Sequence, residues 1–393
     1  MFLTSAFPSA DYPKSNAHNL RSVLNLAKEP SIKIQVIHLR SWRPWRKMYV
    51  TSQLHGLNVR SFSFPYYPNI PKVLAGILLN IYKRVLFHFI LKKEIQNVDI
   101  IHTAGAAMES VVGAYISRKT GIKHVAQCMG GDVNIVLPKV SKTYGWIGFE
   151  NYVNLFCCNS ISLEKQLKSL YPSANSKVIY RGVNLDEFHF SPPNKNLFTK
   201  TRFLYLGGIV TDGKNDRYNS KGAVTLLNAW SLLMSRIDKE EYKVELIFAG
   251  PLVSEAIVKE LLQDSPANKN VTVKGQLKID EVKSHIAKAD VVVLPSMTEG
   301  LPNVAMEAAA SGRPVIGSQV GGVPEIIIDG ETGFLFQPGN TTALSILLEY
   351  YIKNPQDMAN HGKNARKHVV ENFNSRTFTE NYLKVYNTLK FKS

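Results

Sequence analysis

Two acidic residues stand in an otherwise apolar run, PSMTEGLPNVAMEAAASGRPVIG, which covers residues 295–317. Seven residues separate Glu299 from Glu307. Ionised carboxylates accept hydrogen bonds from hydroxyl groups, and each such bond contributes about 1.5–3 kcal/mol. The pair is therefore suited to hold a ligand rich in hydroxyl groups. The alternative is that both are solvent-exposed acids near a helix N-terminus, where negative charge is favoured in any case.

The elements around these acids predict an anion site beside them. The run VVVLPS (291–296) is typical of a buried strand, Pro302 suits the first turn of a helix, and Gly312 suits its left-handed end. Backbone N–H groups at a helix start attract phosphate. Those expected to do so belong to Gly300, Leu301 and Asn303. A nucleotide sugar, with hydroxyl groups on both sides of a diphosphate, would fit the whole arrangement.

The rest of the chain alternates short β-branched runs with helical stretches. Strands that are joined by helices form parallel sheets with right-handed crossovers. The runs cover residues 32–39, 98–103, 123–128, 155–160, 177–182, 202–208, 244–250, 271–275, 291–296, 314–318 and 333–337. The predicted fold class is α/β, with two Rossmann-like, doubly wound domains.

A chain of 393 residues is too long for one ordinary hydrophobic core. The segment FHFSPPNKNLFTKT (188–201) is polar with paired prolines and is interpreted as a linker. The predicted divisions are a first domain at 1–190, a linker at 191–200, a second domain at 201–375, and a C-terminal helix at 376–393 that packs back towards the first domain. Two such domains would face each other across a cleft at the strand ends, where doubly wound sheets bind ligands.

The charge of the chain is unevenly distributed. Residues 1–190 contain 23 basic and 10 acidic residues, a net charge of +13, against +3 for the remainder. Basic and aromatic residues interleave in LRSWRPWRKMY (39–49). Such a half attracts nucleic acid, an anionic membrane or an anionic acceptor through the same long-range field. No nucleic-acid-binding motif is present, so no nucleic-acid partner is expected.

Cysteines and apolar segments bear on the compartment. The three cysteines show no disulfide or metal-binding pattern and indicate buried thiols in a reducing compartment. The N-terminus lacks the pattern of a secretory leader. Residues 73–91 are apolar, but Lys83 and Arg84 at their centre argue against a membrane span. A helix that covers a sheet is one interpretation, and a helix that touches a bilayer surface is the other.

The sequence resembles the retaining nucleotide-sugar glycosyltransferases of glycosyltransferase family 4, which have the GT-B fold. The resemblance is carried by TEGLPNVAMEAAASGRPVIGSQVGGVPEII and by DIIHTAGAAMES (99–110), CMGGDVN (128–134), IYRGVNLDEF (179–188), KGAVTLLNAW (221–230), LIFAGP (246–251) and NARKHVVENF (364–373). It implies transfer of a hexose from a UDP- or GDP-linked donor to a hydroxyl acceptor, with retention. A glycan or lipid-linked acceptor in polysaccharide or lipopolysaccharide synthesis is implied. The charge of +13 over residues 1–190 motivates the further hypothesis of a cytoplasmic enzyme that rests on the inner face of the membrane.

The resemblance also assigns roles to residues. Glu299 contacts hydroxyl groups of the donor sugar, Glu307 binds the ribose, and Lys221 stabilises the leaving diphosphate. No D-x-D dyad is present, so no metal or other cofactor is expected. Further donor-side residues are Gly207, Gly208, Gly300, Leu301, Asn303 and Arg217. Asp132 is assigned to catalysis, and the acceptor side is assigned to Gly130, Gly131, Ser9 and Lys14.

Three departures from the family pattern leave alternatives open. Gly208 stands where the family usually has arginine, and Arg217, in the insertion 211–220, either replaces that cation or belongs to a mobile polar loop. Met129 stands where the family often has histidine, and 5–16 contains no glycine. The alternative functions are a catalytically silent subunit that supports a partner transferase, and a sugar-nucleotide epimerase.

Overall fold

The computed structural model describes residues 1–8, 17–41, 47–64, 72–191, 193, 200–209, 220–238, 240–262 and 266–391. The chain forms two compact units, Met1–Tyr180 with Phe378–Ser393, and Arg181–Thr377. The boundary falls after Tyr180, whereas the sequence placed it after residue 190. Backbone pairing accounts for the difference, since the Val183 N–H donates to the Phe373 carbonyl at 2.8 Å within the second unit.

The first unit is built on one eight-stranded sheet. Its strand order is β3–β4–β2–β1–β5–β6–β7–β8, and every pairing is parallel except that of β3 with β4. The strands are β1 Phe2–Thr4, β2 Gln35–Ser41, β3 Tyr49–Leu54, β4 Leu57–Phe64, β5 Ile100–Ala104, β6 Lys123–Cys128, β7 Leu155–Cys158 and β8 Ser176–Val178. The helices are α1 Ala17–Ala27, α2 Lys72–Val85, α3 Lys92–Glu94, α4 Met108–Thr120, α5 Leu137–Val140 and α6 Ile161–Leu170.

The antiparallel hairpin of β3 and β4 was not among the predicted strands. Its turn is formed by His55 at φ 50° and Gly56 at φ 79°. Two positive φ angles in a two-residue loop define the hairpin turn whose twist matches that of the strands. The residues of β3 are all exposed or half-buried, so the strand lacks the continuous apolar run by which the buried strands were predicted.

The C-terminal helix α14 (Ser375–Phe391) contributes to the core of the first unit. Phe378 and Tyr382 pack with Val125 of β6 and Cys157 of β7. The ring of His102 stacks on Tyr382, with centroids 4.9 Å apart. All three cysteines are buried, as expected.

The second unit contains a six-stranded parallel sheet in the order β11–β10–β9–β12–β13–β14. Its strands are β9 Thr201–Tyr205, β10 Val244–Ala249, β11 Val271–Gly275, β12 Val291–Leu294, β13 Val315–Ser318 and β14 Gly333–Phe336. Its helices are α7 Ala223–Arg236, α8 Glu255–Leu262, α9 Ile279–Lys288, α10 Asn303–Ala310, α11 Val323–Ile326, α12 Thr341–Lys353 and α13 Pro355–Asn372. The order is that of the doubly wound dinucleotide-binding fold.

Each predicted strand run of both halves overlaps an observed strand, and the α/β class is confirmed. The core of the second unit is dense and aromatic, with Phe203, Tyr205, Trp230 and Phe248 fully buried. None of the helices described here combines the length and the apolar character that a membrane crossing needs. The segment 73–91 instead forms α2 and a π-helical continuation, Leu86–Leu91.

Candidate active site

The predicted residues of the second unit gather where its strand order reverses. The chain leaves β9 towards β10 and β11 on one side and then continues with β12 on the other side of β9. Doubly wound sheets bind ligands at this reversal, outside the carboxyl ends of the strands. Lys221 follows β9 along the chain, and Glu299 follows β12.

Lys221 and Glu299 form a direct ion pair. The Lys221 Nζ lies 2.7 Å from the Glu299 Oε1, and the Ser296 hydroxyl donates to the same oxygen at 2.7 Å. The Glu299 side chain is 11% exposed and that of Lys221 is 39% exposed. The carboxylate is thus fixed in place, while the ammonium group of the partly exposed lysine has three N–H donors and can serve a further acceptor.

A close approach of two turns brings Lys221 to this position. Gly222 precedes α7 with φ +74°, and a Cβ at this residue would lie 1.8 Å from the Pro295 carbonyl oxygen. The Met297 N–H donates to the Ser220 carbonyl at 3.0 Å. Glycine is required at 222 because any side chain would push the lysine-bearing turn away from the end of β12.

A second glycine supports the Glu299 loop from the other side. Gly321 has φ +52°, and a Cβ there would lie 1.9 Å from the carbonyl oxygen of Glu299. The neighbouring Gly322 N–H donates to the Gly300 carbonyl at 2.7 Å. The loop before α10 is therefore held by the backbone of the segment that follows β13.

The loop and helix that carry the two acids follow the predicted pattern closely. Pro302 is the residue immediately before α10, with an extended ψ of 120°, rather than part of its first turn. Gly312 has φ +76° just beyond the helix, and the Arg313 N–H donates to the Ala308 carbonyl at 2.9 Å. This is the left-handed helix end that the sequence predicted.

Both acids are largely shielded from solvent. Glu307 lies on the second turn of α10 and is 8% exposed, and Glu299 is similarly buried. The alternative of two solvent-exposed acids is therefore wrong. Leu301 is buried as well, while Gly300 and Asn303 at the helix start are half-buried. In the part of the chain that the structure describes, the site combines two largely shielded carboxylates, the partly exposed Lys221 and a helix N-terminus.

The glycine pair after β9 explains the missing family arginine. Gly208 has φ +78°, and a Cβ there would lie 2.8 Å from Pro251. The buried Tyr205 hydroxyl is shared between the Gly208 carbonyl at 2.8 Å and the Lys221 carbonyl at 3.2 Å. Gly207 is also tightly packed, because a Cβ there would meet the Tyr205 ring. An arginine at 208 would be strained in this turn because of the positive φ. The Tyr205 hydroxyl holds the Gly208 carbonyl close to that of Lys221.

Asp132 in the first unit is engaged by backbone donors. Its Oδ1 accepts from the Gly130 N–H at 2.7 Å and the Met129 N–H at 3.0 Å, and its Oδ2 accepts from the Ala106 N–H at 2.7 Å. These bonds join the turn after β6 to the turn after β5. The geometry thus supports a positioning role, and the predicted catalytic role of Asp132 stays a prediction. Gly130 is buried with φ +140°, and Gly131 is exposed with open space around it.

Glu109 is a further candidate site residue of the first unit that the sequence analysis did not single out. It lies in the first turn of α4, and its Oε1 accepts from the Ser5 N–H at 3.0 Å and from the Ser5 hydroxyl. Burial raises the pKa of Glu109 more than the Ser5 bonds lower it, and the charge of Asp132 raises it further. The sequence could have indicated Glu109 through its position, because this acid directly follows the small-residue turn AGAAM at the end of a strand.

Three predicted residues lie outside the described part of the chain: Ser9, Lys14 and Arg217. Among the described residues, no group of three or more histidine, cysteine, aspartate or glutamate side chains is arranged to hold a metal ion.

Comparisons with known proteins agree with the fold. The family model described as Glycosyl transferases group 1 matches residues 215–368, and that described as Glycosyltransferase Family 4 matches residues 51–187. The N-acetyl-alpha-D-glucosaminyl L-malate synthase of Bacillus anthracis is 24% identical over 92% of this chain and 91% of its own length. The capsular polysaccharide biosynthesis glycosyltransferase CapM of Staphylococcus aureus is 30% identical over 47% of this chain and 45% of its own length.

A solved structure extends the comparison to the whole chain. HepE of Anabaena, crystallised in complex with UDP-glucose, has a TM-score of 0.67 and 17% identity, with 98% of this chain and 99% of HepE covered. The fold is GT-B, as predicted. The chain belongs to the group 1 glycosyltransferases of the family 4 type, and it is a glycosyltransferase.

Proposed function

We propose that this protein transfers a hexose from a UDP- or GDP-linked donor to a hydroxyl group of a glycan or lipid-linked acceptor, with retention of the anomeric configuration. The observation that carries the proposal is the 2.7 Å pair of Lys221 and Glu299 beside the start of α10. A cation next to a carboxylate and a helix N-terminus suits a ligand that presents a diphosphate and hydroxyl groups together.

Each side chain of the site has a task in this reaction. The Glu299 carboxylate, oriented by Ser296, accepts hydrogen bonds from the sugar hydroxyl groups, and Glu307 accepts from the ribose. Lys221 retains one N–H for Glu299 and directs the others to the diphosphate. The helix N-terminus at Asn303 adds positive potential where negative charge develops on the leaving group.

The proposed chemical step exchanges one bond at the anomeric carbon. The bond from that carbon to the diphosphate oxygen breaks, and the acceptor oxygen bonds to the same face. The acceptor proton passes to the departing diphosphate oxygen, so no enzymic base is required. Lys221 and the helix start supply the stabilisation of the leaving group in this proposal, and neither a metal nor another cofactor is required.

Donor and acceptor classes are supported by the relatives. HepE binds UDP-glucose, which favours a nucleotide sugar as the donor here. CapM acts in capsular polysaccharide biosynthesis, which favours a cell-surface glycan as the product. The net charge of +13 over residues 1–190 supports an acceptor at the anionic inner face of the cytoplasmic membrane.

A panel of nucleotide sugars and their nucleoside diphosphates tests the donor. A ligand present at 100 times its dissociation constant stabilises the folded protein by about 2.7 kcal/mol, which a thermal unfolding assay detects. The expected result is stabilisation by UDP- or GDP-hexoses. Proton NMR of the product then reports the anomeric configuration, and an inverted product would contradict the proposed mechanism.

A catalytically silent subunit is the second candidate, because Met129 and Gly208 replace the family's usual polar side chains. Slow donor hydrolysis by the purified chain, lost in Glu307→Ala, would exclude it. An epimerase would convert the donor to a different nucleotide sugar in the absence of acceptor, and the same NMR assay distinguishes that outcome.

A further inference from the structure

An apolar stripe runs along the outer face of α2 and its π-helical continuation. Its five members recur at intervals of three or four residues and are all exposed, from 40% for Ile77 to 83% for Phe89. They are Leu74, Ile77, Ile81, Val85 and Phe89. Successive positions at this spacing fall on one side of a helix. Large apolar side chains aligned in this way indicate an interaction surface.

The opposite face of the same segment packs into the core of the first unit. Leu79, Leu86, Phe87 and Leu91 are buried in the core of the first unit. The helix is therefore anchored by residues other than those of the stripe. The interpretation as a sheet-covering helix is confirmed for this inner face, and the outer face needs a separate explanation.

A neighbouring turn extends the apolar surface. The backbone of Tyr144 and Gly145 lies so close to α2 that a Cβ on Gly76 would fall 1.8 Å from the Tyr144 carbonyl oxygen. The side chains of Tyr144 and Ile147 on that turn are 57% and 69% exposed. The stripe and the turn together present apolar groups from two segments of the chain.

The charged residues of α2 and of its π-helical continuation are all basic. The sequence from 72 to 93 contains five basic residues and no aspartate or glutamate. Arg84, Lys92 and Lys93 are exposed beside the stripe, and the Lys83 Nζ lies 5.7 Å from the centre of the Tyr115 ring. Burial lowers the pKa of Lys83, and the nearby charges of Arg84 and Arg118 lower it further.

We propose that α2 and residues 86–91 dock on a bilayer that contains anionic lipids, with the five-residue stripe in the headgroup region and the basic residues on lipid phosphates. An apolar face bordered by lysine and arginine is the arrangement that binds such surfaces. A second copy of the chain fits less well, because it would bring two faces of the same positive charge together.

The docking surface specifies how the protein of the proposed function would reach a membrane. It rests on the proposed function only in assuming that the acceptor lies at the membrane. Binding to lipid is measured without donor or acceptor. The variant Lys221→Met is expected to lose transfer and to bind vesicles as the wild type does. A failure of the docking proposal is thereby separated from a failure of the transferase proposal.

Vesicle sedimentation tests the surface with a matched pair of variants. Ile81 is 54% exposed on the stripe, and Ile346 is 53% exposed on α12 in the second unit. Ile81→Ser is expected to weaken binding to vesicles of mixed phosphatidylcholine and phosphatidylglycerol about tenfold. Ile346→Ser should bind like the wild type. Arg84→Glu should weaken binding at low salt by about fivefold or more.

A fluorescent probe locates the contact. Because the three native cysteines are buried, Phe89→Cys is expected to be the site of labelling by an environment-sensitive dye. Its emission should shift to shorter wavelength with anionic vesicles, whereas a dye at Ile346→Cys should not respond. Equal binding by Ile81→Ser and wild type, or no binding to anionic vesicles, would overturn the proposal. Loss of a dimer in Ile81→Ser without any effect on vesicles would assign the surface to self-association instead.

Discussion

Replacement of Gly321 by alanine should disable the candidate site through the backbone alone. A Cβ at this position would lie 1.9 Å from the Glu299 carbonyl oxygen, and real Cβ atoms essentially never approach within 3.0 Å. The loop must therefore move by roughly 1 Å, a displacement that can cost about a hundredfold in rate when it misplaces a reacting group. The left-handed φ of +52° adds about 1–2 kcal/mol of strain to the folded state.

Gly330 offers a control with the same backbone strain and no overlap. Its φ is +74°, and no atom lies within 4 Å of a Cβ built there. Gly330→Ala should therefore lose about 1–2 kcal/mol of stability and keep its activity. Gly321→Ala should lose a further 1–3 kcal/mol, roughly, through overpacking.

The assay is donor consumption per folded molecule, with the folded fraction taken from thermal unfolding of the same sample. We expect kcat/KM for the donor to fall about a hundredfold in Gly321→Ala and to stay within about twofold of wild type in Gly330→Ala. Equal activity in the two variants would refute the reasoning, because the position of the Glu299 loop would then be irrelevant to the reaction.

Three further predictions concern charged and titratable groups. Lys221→Met should lower kcat for donor cleavage by about 10²–10³, as loss of one stabilising donor typically does; the control Lys200→Met, which removes another ion-paired lysine 3.2 Å from its glutamate, should keep kcat in the same assay. Burial lowers the pKa of His102 and His124 to about 3 from an ordinary value of 6.5, so the unfolded chain alone binds these protons between the two values. The free energy of unfolding should thus fall below pH 6.5 by about 1.4 kcal/mol per pH unit for each histidine, measured by urea denaturation, and a glutamine replacement of one of them should halve that slope. Glu109 changes stability in the opposite direction, because its raised pKa lets the folded state keep the proton to higher pH than the unfolded chain does. The free energy of unfolding should therefore fall as the pH rises above 4.5. Glu109→Gln should remove this loss, and a pH profile unchanged from wild type would contradict the buried placement of the carboxyl group.

Much of the fold was predictable because local patterns and tertiary packing agree. Continuous β-branched runs mark strands that are buried on both faces, and Gly312 ends α10 as its position suggested. The two acids of the site were found because they interrupt an apolar run. Their burial could not be read from the sequence, since it depends on turns contributed by distant segments.

The features that escaped prediction depend on contacts far apart along the chain. The sequence showed only that Gly208 stands where the family usually has arginine. Its φ of +78° and the nearby Pro251 make glycine the residue that fits. The catalytic role of Asp132 stays a prediction, and the sequence did not show that its oxygens accept backbone N–H groups from two turns. Glu109 was overlooked because its partner, Ser5, precedes it by 104 residues.

A crystal structure of the protein with a bound nucleoside diphosphate tests the central claim most directly. The account predicts phosphate oxygens within about 3 Å of the Lys221 Nζ and of the N–H groups at the start of α10, with the ribose hydroxyl groups on Glu307. A nucleotide bound elsewhere on the chain, or bound here with its ribose away from Glu307, would contradict it.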